Sequence, residues 1–102
     1  VAHLSTNRSN LMGTSVLDRY VLFAGGTRQA SEPDLCGTLE RSAVVDIYDT
    51  VTNVWSTDCL HNGRTSLYAV SVGATAIFFG GVSSSSGVCV CVCVCVCLCM
   101  CV

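Results

Sequence analysis

RYVLFAGG at residues 19–26 and TAIFFGG at residues 75–81 are close variants of one segment. Each is an apolar run of β-branched and aromatic residues closed by a glycine pair, Gly25-Gly26 and Gly80-Gly81, and the pairs lie 55 residues apart. Working outward, HLSTNRSNLMGTSVL at residues 3–17 lies over CLHNGRTSLYAVSVG at residues 59–73 at an offset of 56. That offset matches Leu4 with Leu60, Arg8 with Arg64, Leu11 with Leu67, Ser15 with Ser71 and Val16 with Val72. The step from 56 to 55 falls between Leu17 and Phe23, which predicts a tight turn differing by one residue between the copies. Self-similarity at a fixed period of about fifty residues marks a repeat architecture.

The residue types predict strands throughout. Val, Ile, Tyr, Phe and Thr dominate, and no stretch sustains a helical period. Strands are expected at residues 12–17, 20–24, 43–48 and 54–56, with 68–72 and 76–79 repeating the first two. The runs YVLF at 20–23 and AIFF at 76–79 are apolar on both alternating sets, as for strands covered on both faces. Asp49 and Asn53 bound a turn, Asp49 as an acceptor of backbone N–H groups and Asn53 as a residue that tolerates the left-handed region. The glycine pairs allow positive φ or a close backbone approach. Residues 27–42 form the longest connection. It is polar, carrying Arg28, Glu32, Pro33, Asp34, Glu40 and Arg41, and a loop of this length is unusual unless it is functional or mobile. A neutral insertion is the alternative.

Composition narrows the function classes. Five arginines, no lysine and seven acidic residues give a formal net charge of −2, so there is no basic field for nucleic acid. The apolar C-terminal run of 15 residues is short of the roughly 20 needed for a membrane helix, and no membrane partner is expected. His3 and His61 are the only histidines, and neither stands in a metal-ligand spacing. No nucleophile elbow, phosphate loop or paired-carboxylate pattern is present. No catalytic residue, metal or cofactor is therefore expected. Asn7-Arg8-Ser9 is a glycosylation triplet. Of nine cysteines, only Cys36 and Cys59 precede the tail. Free thiols are the expectation for them, with a bridge in an oxidising compartment as the alternative. The location is left open, with the cytoplasm ahead.

In their order and spacing, the diglycine, Tyr48 and Trp55 resemble the repeat of Kelch-type β-propellers, a group that includes galactose-oxidase-like propellers. YDTVTNVW at residues 48–55 is similar to that family's Y-D-P-x-T-N-x-W segment, with Thr50 where Pro is usual. The resemblance covers about residues 1–81. It implies an all-β fold, with an antiparallel four-stranded blade over about 11–57 and half of the next blade over about 66–81. It implies structural roles for Gly25, Gly26, Tyr48, Trp55, Gly80 and Gly81, the two aromatics packing between blades. It also implies that the connection from fourth to first strand shares a face with the connection from second to third, and that this face meets a partner. Arg28, Glu32, Asp34, Glu40, Arg41 and Arg64 are the candidate contact residues. For Arg64, hydrogen bonds to loop carbonyls or a pairing with aspartate is the favoured role.

Residues 82–102 read differently. VSSSSG and then VCVCVCVCVCLCMCV stand where the resemblance implies two further strands with a Tyr and a Trp, and both aromatics are missing. A thiolate metal tract is one reading. Translation of an alternating GTG-TGT repeat is the preferred one, which makes the tail a non-native or disordered low-complexity segment, β-prone and uncharged. A chain holding so little of a repeat array is expected to be marginally stable alone. Three functions remain: a protein-binding scaffold using propeller-face loops, a fragment of a galactose-oxidase-like enzyme, or a translated fragment without independent function. The scaffold is the leading expectation, with protein as the partner and no enzymatic activity.

Overall fold

The computed structural model describes residues 4–29, 31–60, 62–83, 89–93 and 97–101. The strands are β1 Met12–Val16, β2 Tyr20–Ala24, β3 Val44–Asp49, β4 Val54–Cys59, β5 Arg64–Thr65, β6 Tyr68–Val72, β7 Thr75–Phe79, β8 Val82–Ser83, β9 Cys89–Cys93 and β10 Cys97–Cys101. Strands β1-β2-β3-β4 form one antiparallel meander, β6-β7-β9-β10 form a second, and β5 pairs with β8 in a small ribbon. The fold is all-β; no helix occurs among the described residues.

β2 and β6 begin and end as expected, because apolar runs with turn residues at both ends leave little choice of boundary. β4 runs three residues beyond its expected end. Thr57, Asp58 and Cys59 pair with Asp46, Val45 and Val44, so the ladder of β3 extends an outer strand whose own propensity is weak.

The duplication is physical. β1 and β2 are joined by Leu17, Asp18 and Arg19, and β6 and β7 by Gly73 and Ala74 alone. This is the one-residue difference in the offset. The longer turn places Leu17 and Asp18 at φ 58° and 50°, the shorter one Gly73 at φ 57°. Ahead of each hairpin the backbone also repeats. Ser9 bridges Thr27 in the first copy, and Thr65 pairs with Val82 in the second. Gly26 and Gly81 make these bridges possible. A Cβ on Gly26 would lie 2.7 Å from the Ser9 carbonyl oxygen, and one on Gly81 would lie 2.6 Å from that of Thr65.

The two large sheets stack, with the core between them. The first contributes Val16, Leu22, Ala24, Val45 and Ile47; the second contributes Ala76 and Phe78; Leu60 and Leu67 lie in the same cluster. Leu22 and Ala24 correspond to Ile77 and Phe79 in the repeat, while Ala76 and Phe78 correspond to Val21 and Phe23. Each sheet therefore buries the face that the other leaves open.

The strands of the tail depart from the expectation for residues 82–102. β9 pairs with β7, Phe78 opposite Cys91 and Phe79 opposite Val90, and β10 pairs with β9. An uncharged, β-prone segment finds the open N–H and C=O groups of the β7 edge and satisfies them. In this register Cys93 takes the position of Tyr48, and Cys97 that of Trp55.

Candidate interaction surface

The connections at residues 4–11, 25–43 and 60–67 all leave one end of the sheets, and the hairpin turns leave the other. At the first end the buried side chain of Arg8 joins the first strands together. Its Nη1 donates to the carbonyls of Gly25 at 2.7 Å and Val44 at 2.6 Å, and its Nη2 donates to Asp46 Oδ2 at 2.6 Å. Burial lowers the pKa of the guanidinium, while Asp46 and then Asp34 work in the opposite direction. Arginine nevertheless stays charged at neutral pH. Asp46, in the middle of an apolar strand, is almost wholly buried and also accepts from the Ser5 N–H at 3.1 Å. Arg64 repeats part of this arrangement: it is buried and donates from Nη1 to the Gly80 carbonyl at 2.8 Å. The favoured structural role of Arg64 is what the geometry contains. It does lie beside the long loop, with its backbone N–H on the Ser42 carbonyl at 3.0 Å, but burial removes its side chain from the accessible surface.

Asp34 organises the loop at residues 27–42. Its carboxylate accepts from the N–H groups of Cys36 and Thr38, each at 3.0 Å, from Thr38 Oγ1 at 2.7 Å and from Ser42 Oγ at 2.7 Å. Burial opposes its charge, but the hydrogen bonds from Thr38, Ser42 and Cys36 outweigh burial and hold the carboxyl below its ordinary value. Arg28 folds back over the loop and donates from Nη1 to the carbonyls of Glu32 and Thr38, each at 3.0 Å. Of the expected contact residues, Asp34 and Arg28 are therefore engaged within the loop. Glu32 and Glu40 are exposed and Arg41 is half-buried.

The cysteines correct the expectation of free thiols. Cys36 and Cys59 form a disulfide with their Cα atoms 5.7 Å apart. Two features bring them together: β4 extends as far as Cys59, and the loop doubles back around Asp34. Cross-linked in this way, the loop still displays Leu35 at 69% and Leu39 at 48% of full exposure. Neither leucine stood out in the sequence, because single apolar residues in a polar loop are common. Asp46 was missed as well, although a lone carboxylate within VVDIY was a signal that a buried cation needed it.

Among the remaining marked residues, Tyr48 and Trp55 depart from the expected packing between blades, since they lie on the face of the first sheet that the second does not cover. Gly25, Gly26, Gly80 and Gly81 all have positive φ. Tyr48 and Trp55 pair across β3 and β4 with ring centroids 4.9 Å apart, and the Tyr48 hydroxyl donates to Asn53 Oδ1 at 2.6 Å. Asn53 has φ 58°, and Asp49 accepts from the Val51 N–H at 3.0 Å, as the turn chemistry predicted. Arg19 adds a two-point contact to Asp49 at 2.8 and 2.7 Å, which holds the Asp49 carboxyl well below its ordinary range. The two aromatics, with Leu4, Leu11, Gly13, Val21 and Phe23, line an open apolar groove of about 680 Å³ on the outer face of the first sheet. No family model, curated protein or solved structure matches the chain.

Proposed function

We propose that the chain is a Kelch-type propeller segment that acts as a protein-binding scaffold, with the loop at residues 27–42 as its main contact. One observation carries this reading. The loop is held by an internally solvated carboxylate, a folded-back arginine and a disulfide, and it nonetheless presents Leu35 and Leu39 to solvent. Ordering a loop before contact lowers the entropy that binding must overcome, and exposed apolar side chains on a polar rim suit a protein surface. The stacked meanders, the repeated glycine pairs and the Tyr48–Trp55 pair support the propeller part of the reading. The disulfide favours an oxidising compartment over the cytoplasm.

The test compares proteins retained on the immobilised chain with those retained on Leu35→Asp/Leu39→Asp, using Val51→Asp in the opposite-end turn as control. Loss of the same proteins from the double variant alone supports the reading. Equal retention by all three chains refutes it.

A further inference from the structure

The open groove on the first sheet has a buried twin in the second. Leu4, Leu11, Gly13, Val21 and Phe23 line the groove, and their repeat equivalents are Leu60, Leu67, Ala69, Ala76 and Phe78. Leu60, Leu67, Ala76 and Phe78 are core residues, and Ala69 packs against that core. The face that is open on the first sheet is thus the face with which the second sheet seats itself on the first.

The converse holds on the far side. The second sheet leaves Tyr68, Val70 and Val72 at 61%, 46% and 69% of full exposure, with Tyr68 stacked on Phe79 at 5.8 Å between centroids. Their equivalents are Met12, Thr14 and Val16. Val16 is a core residue and Met12 packs against the core. Each open face therefore has its complement at the other end of the same molecule.

We propose that this chain associates with a second copy of itself head to tail, the outer face of the second sheet in one copy filling the Phe23–Trp55 groove of the next. The contact would repeat the one already made between the two sheets within a chain. It is heterologous, using two different patches, so association continues to higher order rather than stopping at a dimer. The proposal rests on the stacking of the sheets and not on the loop at residues 27–42.

The test is sedimentation of the full chain over a concentration series, with non-reducing electrophoresis to verify that association is not covalent. Two variants each block one face: Trp55→Glu for the groove and Val70→Glu for the far side. Far-UV circular dichroism verifies that each retains its strands, and Val21→Glu and Tyr68→Glu stand in for one that does not. The wild-type mass is expected to grow with concentration. Each variant alone is expected to stay monomeric, and an equimolar mixture is expected to double in mass, because one intact face remains on each partner. A monomeric mixture, or self-association of either variant, overturns the proposal. The Leu35→Asp/Leu39→Asp chain is expected to associate like wild type, which separates a failure here from a failure of the loop as a contact.

Discussion

Ser66 donates its backbone N–H to the carbonyl of Asn10 at 3.0 Å, and the two residues hold the same place in the two repeats. Both are in the left-handed region, at φ 57° and 55°. The segments that lead into the two sheets are therefore shaped alike and bonded to each other.

A β-branched side chain is poorly suited to that conformation, which costs an ordinary L-residue about 1–2 kcal/mol. Ser66 already bears that cost, so Ser66→Val is expected to lower stability further, through the added crowding of its branched Cβ, in urea unfolding, whereas Ser66→Gly should leave it unchanged or slightly higher. Equal losses from both substitutions would show that the backbone conformation is not the cause.

The Arg8–Asp46 pair holds the first strands at their loop end. Removing one partner leaves the other charge buried, a loss of about 3–5 kcal/mol. Asp46→Ala is expected to fall in that range, and replacing both residues by apolar ones of similar volume should recover much of it. A double-mutant cycle in denaturant measures the coupling.

Cys36 and Cys59 close a segment with a sequence separation of 23. Changing both to Ser is expected to cost about 2–4 kcal/mol. It should also expose residues 27–42 to proteolysis before the sheets. Peptide mapping without reductant should recover Cys36 and Cys59 in one linked species.

Asp34 gives the loop a pH dependence. Its carboxyl titrates lower in the folded chain than in the unfolded one, so its contribution is complete above the unfolded value of about 4. It is lost as pH falls through the folded value. Wild type should lose more stability than Asp34→Asn between pH 5 and acid, the two curves running parallel above that. Thr38→Val, which removes a donor to the carboxylate, should move the Asp34 titration upward by NMR.

The parts of the fold legible in the sequence were those set by local chemistry. The apolar runs of β2 and β6 had turn residues at both ends, and the shift in offset located a one-residue difference between Leu17 and Phe23, although Leu17 itself was expected in the strand and stands in the longer turn. The matched arginines announced a shared structural role before any partner was visible. What stayed hidden depended on distant pairing. Thr57, Asp58 and Cys59 are strand only because β3 lies beside them. The Cys36–Cys59 bond needs a loop that first wraps around Asp34. The Val-Cys run, suspect as coding sequence, still satisfies the edge of β7. At the candidate surface, charge drew attention to Arg28, Asp34 and Arg64, but their hydrogen bonds turn them inward and leave the leucines outside.

The exchange of faces between the sheets gives the molecule a polarity, with a leading end and a trailing end that cannot be swapped. A third unit joined in frame at either end would meet a surface shaped for it, and no junction would need to be invented. Lengthening such a chain is a matter of copying, and each added unit would inherit the fit of the one before it.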